Sequence, residues 1–138
     1  MKVRDLNNEV HNWKLQGYVT KANDSRPRSK LHLRARELLI EMFPTVQILE
    51  EVPVSITRSE KVFFDFYINT FKLAIEVHGQ QHYKFNPLFH TSAQDFSSQR
   101  KRDARKKEWC EYNSITYIEL PFNEKVEKWK SRVLQRNN

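Results

Sequence analysis

From Ser29 onward the apolar positions switch between a helical period and a period of two, and each switch marks an element. In "SKLHLRARELLIEMFP", Leu31, Ala35, Leu38, Leu39 and Met42 fall on one helical face. Ser29 is placed to cap that helix and Pro44 to stop it. "TVQILEEVPVSI" is rich in β-branched residues and reads as a strand, with "RSEK" as the turn that follows. "VFFDFYI" and "KLAIEVH" then alternate strictly. One face of the first carries Val62, Phe64, Phe66 and Ile68, the other Phe63, Asp65 and Tyr67. Leu73, Ile75 and Val77 alternate likewise with Ala74, Glu76 and His78, predicting a hairpin through Asn69 and Thr70.

After Gly79, "QQHYKFNPLFHTSAQ" is an excursion, and a helix is expected from about Asp95 to Tyr112 with Phe96, Gln99, Asp103, Lys107 and Cys110 inward and Arg100 and Lys106 at the edges. "SITYIELPF" reads as a strand and "NEKVEKWKSRVL" as a short helix facing inward through Val126, Trp129 and Val133. The order is α-β-β-β-α-β-α, a small α/β or α+β domain over residues 29–138. Residues 1–28 are polar and basic, and "KANDSRPRSK" reads as a flexible arm or linker. Trp13, Leu15, Tyr18 and Val19 could dock a short element of this segment onto the body.

The predicted hairpin carries two acids in apolar surroundings. A two-residue loop would set Asp65 opposite Ala74, a four-residue loop opposite Glu76. Opposed residues share a face, so both registers leave Asp65 and Glu76 on one side. Neither strand supplies a lysine or arginine beside them, so the pair would raise one another's pKa unless a cation sits between them. Mg²⁺ (or Mn²⁺) suits two carboxylates with water completing the shell. The alternative is a solvated face of surface acids, against which stand the aromatic neighbours of Asp65 and the Ile75 and Val77 flanks of Glu76. His78 shares the Glu76 face, and His82 follows a glycine turn from which it could act as base or phosphate ligand. A zinc motif in "HGQQH" is a weaker match, because Gly79 stands where a glutamate would be expected. A ββα-metal nuclease would use clustered histidines, His90 included, but leaves the acidic hairpin unexplained. His32 lies roughly 70° from the centre of its helix face and can reach the edge of the core.

Charge adds a partner. Lys and Arg exceed Asp and Glu by 24 to 17, a formal net charge of +7, which favours a polyanion such as nucleic acid. A solubilising surface would also explain that surplus. "QRKRDARKKEW" concentrates Arg100, Lys101, Arg102, Arg105, Lys106 and Lys107, whose outer members would track DNA phosphates. The single cysteine, Cys110, excludes an internal disulfide and suits a reducing compartment. No stretch has signal-peptide or membrane-span character, so a cytoplasmic protein without membrane partners is expected.

Asp65, ten residues, Glu76, one residue and His78 together resemble the core of the PD-(D/E)XK restriction-endonuclease-like fold. "DFYI…KLAIEVHGQQHY…RDARKKEWCEYNSITYIELPF" is similar to its very-short-patch-repair-like branch, the EDxHD type, which includes small phage and mobile-element endonucleases. The resemblance covers about residues 29–122. It implies a mixed sheet flanked by helices and a metal-dependent DNA endonuclease, with Asp65 and Glu76 as ligands, His82 as catalytic histidine and Asp103 as an added acid. Two departures stand out. His78 replaces the family's usual strand lysine, a cation that Lys106 could supply from the helix. His32 stands where related first helices often carry glutamate, as a metal ligand, a water-orienting group or a packed side chain. A non-catalytic DNA-binding or recombination accessory protein and an RNA-directed nuclease are the rival expectations. A site-specific cutter of duplex DNA this small would often need to act as a homodimer.

Overall fold

The computed structural model describes every residue except Ala22, Asn23, Ser25, Phe89, Asn137 and Asn138. Three short strands, β1 (Lys2–Arg4), β2 (Val10–Asn12) and β3 (Tyr18–Val19), precede the predicted elements. These follow as α1 (Lys30–Met42), β4 (Leu49–Thr57), β5 (Glu60–Ile68), β6 (Leu73–His78), α2 (Ala93–Tyr112), β7 (Thr116–Pro121) and α3 (Val126–Leu134). From Lys30 the order is the expected α-β-β-β-α-β-α. The protein is mixed α/β, with a five-stranded sheet in the order β3-β4-β5-β6-β7, antiparallel except for the parallel β6–β7 pair. A parallel pair needs a long crossover, and α2 is that connection.

Each face of the sheet buries its own core. Ala35, Leu38 and Leu39 of α1 and Trp129 and Val133 of α3 pack on Phe66, Ile68, Leu73 and Ile75. On the other face, Trp109 and Cys110 of α2 join Val52, Val54, Phe64 and Tyr67. Among the described residues, no helix is long and apolar enough to cross a membrane.

Residues 1–19 belong to the same body. The β1–β2 pair lies on the α2 face, where Trp13 packs edge-on to Trp109 (5.2 Å between centroids) and donates from Nε1 to the Pro53 carbonyl at 3.0 Å. Asn113, at the end of α2, brackets Arg4 by accepting from its N–H at 2.7 Å and donating to its carbonyl at 2.9 Å. Trp13 thus docks this segment onto the body, one of the two expectations for residues 1–28, and β3 adds to the sheet. The arm expected over residues 21–30 includes Ala22, Asn23 and Ser25, which lie outside the described residues.

The alternation expected for "VFFDFYI" does not hold throughout. Val62 and Phe64 pack with Tyr67 on the α2 face, whereas Phe66 and Ile68 pack under α1. β4 makes the same exchange, since Leu49, Val52 and Val54 share the α2 face while Glu50 turns toward α1. Both changes occur at one register position, where Glu51 adopts a positive φ of 53° and its pairing with Asp65 is missing from the ladder. A strand can change faces only by breaking its pleat, and a left-handed residue does so locally.

The exchange puts the fully buried Glu50 carboxylate under α1. It accepts from His32 Nε2 at 2.6 Å, Arg36 Nη2 at 2.9 Å and Thr20 Oγ1 at 2.8 Å, and His32 also stacks on Phe66. Burial pushes the Glu50 pKa up, but the hydrogen bonds from His32, Arg36 and Thr20 outweigh it and hold the carboxyl at about 2. Glu50→Ala would leave the buried Arg36 guanidinium and the His32 Nε2 without their acceptor, costing about 3–5 kcal/mol, read as a lower urea midpoint. A carboxyl held below its ordinary 4.5 stabilises the fold above that pH and loses its contribution as pH falls toward 2. Stability of Glu50→Ala should therefore change less than wild type across that acid window.

Candidate active site

The β5–β6 connection is Asn69–Lys72, closed by a 3₁₀ turn and a left-handed Lys72 (φ 49°). It sets Ile68 opposite Leu73 and Phe66 opposite Ile75, the four-residue-loop register. The paired ladder stops there, one residue short of Asp65 and Glu76, and side chains take over. Asp65 Oδ2 accepts from the Val77 N–H at 2.8 Å, and Glu76 Oε2 faces the Asp65 N–H at 3.4 Å. Each carboxylate thus replaces a backbone acceptor that the splayed strand has withdrawn, and the two acids meet in the gap.

The charge there is balanced from across the α2 face. Lys106 Nζ lies 2.6 Å from Glu76 Oε1. Glu76 is buried, and its pKa is pushed well above the ordinary carboxylate range by burial and then by Asp65, with Lys106 opposing. The inward lysine of α2 is Lys106. Lys107, expected on the inward stripe, is exposed.

One helical turn before Lys106, Asp103 Oδ2 lies 2.8 Å from His82 Nδ1. A chain of contacts fixes the neutral tautomer of this imidazole. The Asn86 N–H donates to His90 Nδ1 at 3.0 Å, so His90 must donate from Nε2 to Gln99 Oε1, 2.6 Å away. That leaves the Gln99 amide nitrogen facing His82 Nε2 at 3.4 Å as a donor. His82 then gives its Nδ1 proton to Asp103 and keeps a lone pair on Nε2. His78 stacks on His82 with centroids 4.1 Å apart and planes 2° apart, and its Nδ1 lies 3.5 Å from Glu119 Oε2. That hydrogen bond holds the Glu119 carboxyl below its usual pKa, with burial opposing.

Besides Asp5, Glu9 and His11 near the start of the chain, two groups of ligands among the described residues could hold a cation. Asp65 and Glu76 offer carboxylate oxygens, the donor set of Mg²⁺ or Mn²⁺. His78, His82 and Asp103 offer ligand atoms within 4.8 Å of one another. Imidazole lone pairs lie in the ring plane, however, and two parallel stacked rings do not aim them at one point. The carboxylate pair has no such conflict of direction, and Lys106 Nζ already lies 2.6 Å from Glu76 Oε1.

The structure therefore brings Asp65, Glu76 and Lys106 together, and separately His78, His82 and Asp103. It does not bring His32 to either group. His32 lies across the sheet with Glu50, because that buried carboxylate needs donors from α1. Of the basic residues on α2, Arg100, Lys101, Arg102 and Lys107 are exposed, and Arg100 and Lys107 border a cavity of about 280 Å³ with His78, His82 and Asp103. Arg105 is held by Glu60 at 2.6 Å. Glu119 and the part played by His90 were not visible in the residue spacing, since β7 gave no polar pattern to single out one glutamate.

Three viral proteins are similar to this chain. Uncharacterized protein 307L of Invertebrate iridescent virus 6 is 43% identical over 61 residues, 44% of this chain and 31% of that protein. Uncharacterized protein 033L of Invertebrate iridescent virus 3 is 36% identical over 62 residues, covering 45% and 32%. Uncharacterized protein 094L of Frog virus 3 is 38% identical over 72 residues, covering 51% and 46%. The matched region thus spans between about a third and a half of these curated relatives. No family model and no solved structure matches the chain.

The Glu76–Lys106 contact has a spectroscopic consequence. In metal-free protein, the Glu76 carboxyl ¹³C resonance should titrate well above the usual carboxylate range, and Lys106→Met should move its midpoint higher still.

Proposed function

We propose that the protein is a metal-dependent DNA endonuclease built on a restriction-endonuclease-like core. The observation that carries this reading is the convergence of Asp65 and Glu76 in the gap between β5 and β6, with Lys106 reaching Glu76 from α2. The mixed sheet, the element order and the basic outer face of α2 support it.

Asp65 and Glu76 would hold Mg²⁺ or Mn²⁺, which supplies charge neutralisation at a phosphodiester and a more acidic water. Glu76 becomes a competent ligand by losing its proton, an ionisation that Lys106 favours. Once the attacking water displaces the Gln99 amide from Nε2, His82 would accept its proton there, and Asp103 holds the ring and stabilises the imidazolium formed. Lys106 places positive charge beside the acid pair in the role of the absent strand lysine. Arg100 and Lys107, on the rim of the His82 cavity, would contact phosphate oxygens while Lys101 and Arg102 lengthen the basic track.

Supercoiled plasmid incubated with Mg²⁺ should be cut by wild type and spared in chelator. Asp65→Asn and His82→Ala should each lower the rate by roughly 100-fold or more, the scale of losing a general base or a charge-stabilising group. DNA binding that survives without cutting under Mg²⁺ or Mn²⁺ would replace the enzyme with a non-catalytic DNA-binding protein. In a separate measurement, alanine at Lys101, Arg102 or Lys107 should each reduce the slope of log K against log salt by about 1. Arg105→Ala, already neutralised by Glu60, should change it less.

A further inference from the structure

We infer that the cleft beside Asp65 seats an unpaired base, so that the substrate is DNA with a single-stranded nucleotide next to the cleaved phosphate. This inference rests on the nuclease reading above. Glu76 is buried and Lys106 nearly so, whereas Asp65 is partly exposed and opens into a cleft of about 660 Å³. Tyr18, Pro53 and Phe63 form its apolar walls. Phe63 stands two residues before Asp65, alternates with the buried Val62 and Phe64, and is 52% exposed; Tyr18, on the edge strand, is 50% exposed. The cleft thus offers two half-bare aromatic rings beside Asp65, the exposed member of the acid pair.

The charges around it separate a base from a phosphate as occupant. The Arg26 guanidinium lies 3.9 Å over the Tyr18 ring and Lys61 Nζ 5.6 Å from the Phe63 ring. Arg26 is neutralised by Asp24, however, and Arg28 by Glu51 at 3.3 Å. Little net positive charge remains to capture phosphate there. What remains is planar surface, aromatic and guanidinium, which is the surface that stacks nucleobases irrespective of sequence. The phosphate belongs at the acid pair and the base in the cleft. In a duplex every base is paired and stacked inside the helix, so only an unpaired nucleotide satisfies both positions at once.

The experiment compares a short fluorescein-labelled oligothymidylate with a hairpin duplex by anisotropy in Ca²⁺, and cleavage of both in Mg²⁺. Wild type, Tyr18→Ala, Phe63→Ala and Tyr18→Trp are tested, with circular dichroism to confirm folding. The expected result is tighter binding and faster cleavage of the single strand. Each alanine should weaken single-strand binding by about 5- to 100-fold, the scale of losing one stacked base, while leaving the duplex unchanged. Tyr18→Trp should retain binding. Equal treatment of both DNAs, with cleavage intact and the alanine variants indifferent, overturns the inference and leaves the nuclease reading standing. Single-strand binding that depends on both rings without any cleavage keeps the base site and removes the nuclease. Failure to bind either DNA removes the base site.

Discussion

The arrangement of this protein depends on β4 and β5 exchanging faces together at Glu51 and Asp65. A two-stranded pleat can reverse only if both strands break alternation at the same register position, since otherwise one strand would bury its polar face. Here the left-handed Glu51 breaks β4, and its facing position in β5 is Asp65. On one side of the break Val52 and Phe64 feed the α2 core; on the other Phe66 feeds the α1 core. The reversal leaves Asp65 without a regular backbone partnership, and its carboxylate turns to the Val77 N–H instead. The buried Glu50 cluster holds the adjoining residue of β4 under α1, which locks the reversal in place.

The site has two halves with different physics. At the β5–β6 gap, burial and like charge make a carboxyl reluctant to ionise, and Lys106 opposes that reluctance. Around His82, charge matters less than direction. An amide N–H that can only donate starts a sequence of obligatory hydrogen bonds through His90 and Gln99, and the orientation of a neutral imidazole follows. The two halves share β6 and α2. Glu76 and His78 are two residues apart on one strand face, and Asp103 and Lys106 one turn apart on one helix, so one strand–helix contact positions both.

Much of this was legible in the residues, for reasons that also mark where legibility ended. Long elements with a clear period, from α1 through α3, declare themselves, and the pairing of Asp65 with Glu76 survives any short hairpin loop because the strand period is two. Strands of two or three residues, such as β1 to β3, are too short to show alternation. The phase of α2 was set by Phe96 and Cys110, which sit about 40° apart around an ideal helix, enough to confuse Lys106 with Lys107. His32 was correctly placed near the core edge, but its partner was hidden by the face reversal. Strict alternation would group Glu50 with Val52 and Val54, away from the α1 side. Single-sequence spacing carries no signal for a change of pleat.

The parallel β6–β7 pair carries a kinetic meaning. Strands β3 to β6 are antiparallel neighbours, and from β4 to β6 their connections are short, so that part of the sheet can form from local contacts. Leu73 can meet Thr116 only after the whole of α2 has been laid across the sheet, a closure of high sequence separation. Trp109 and Cys110 anchor the far end of α2, while its first turns are largely exposed. Asp103 and Lys106 lie between the anchor and those loosely held turns. The candidate centre therefore rests on the pairing of highest sequence separation in the five-stranded sheet.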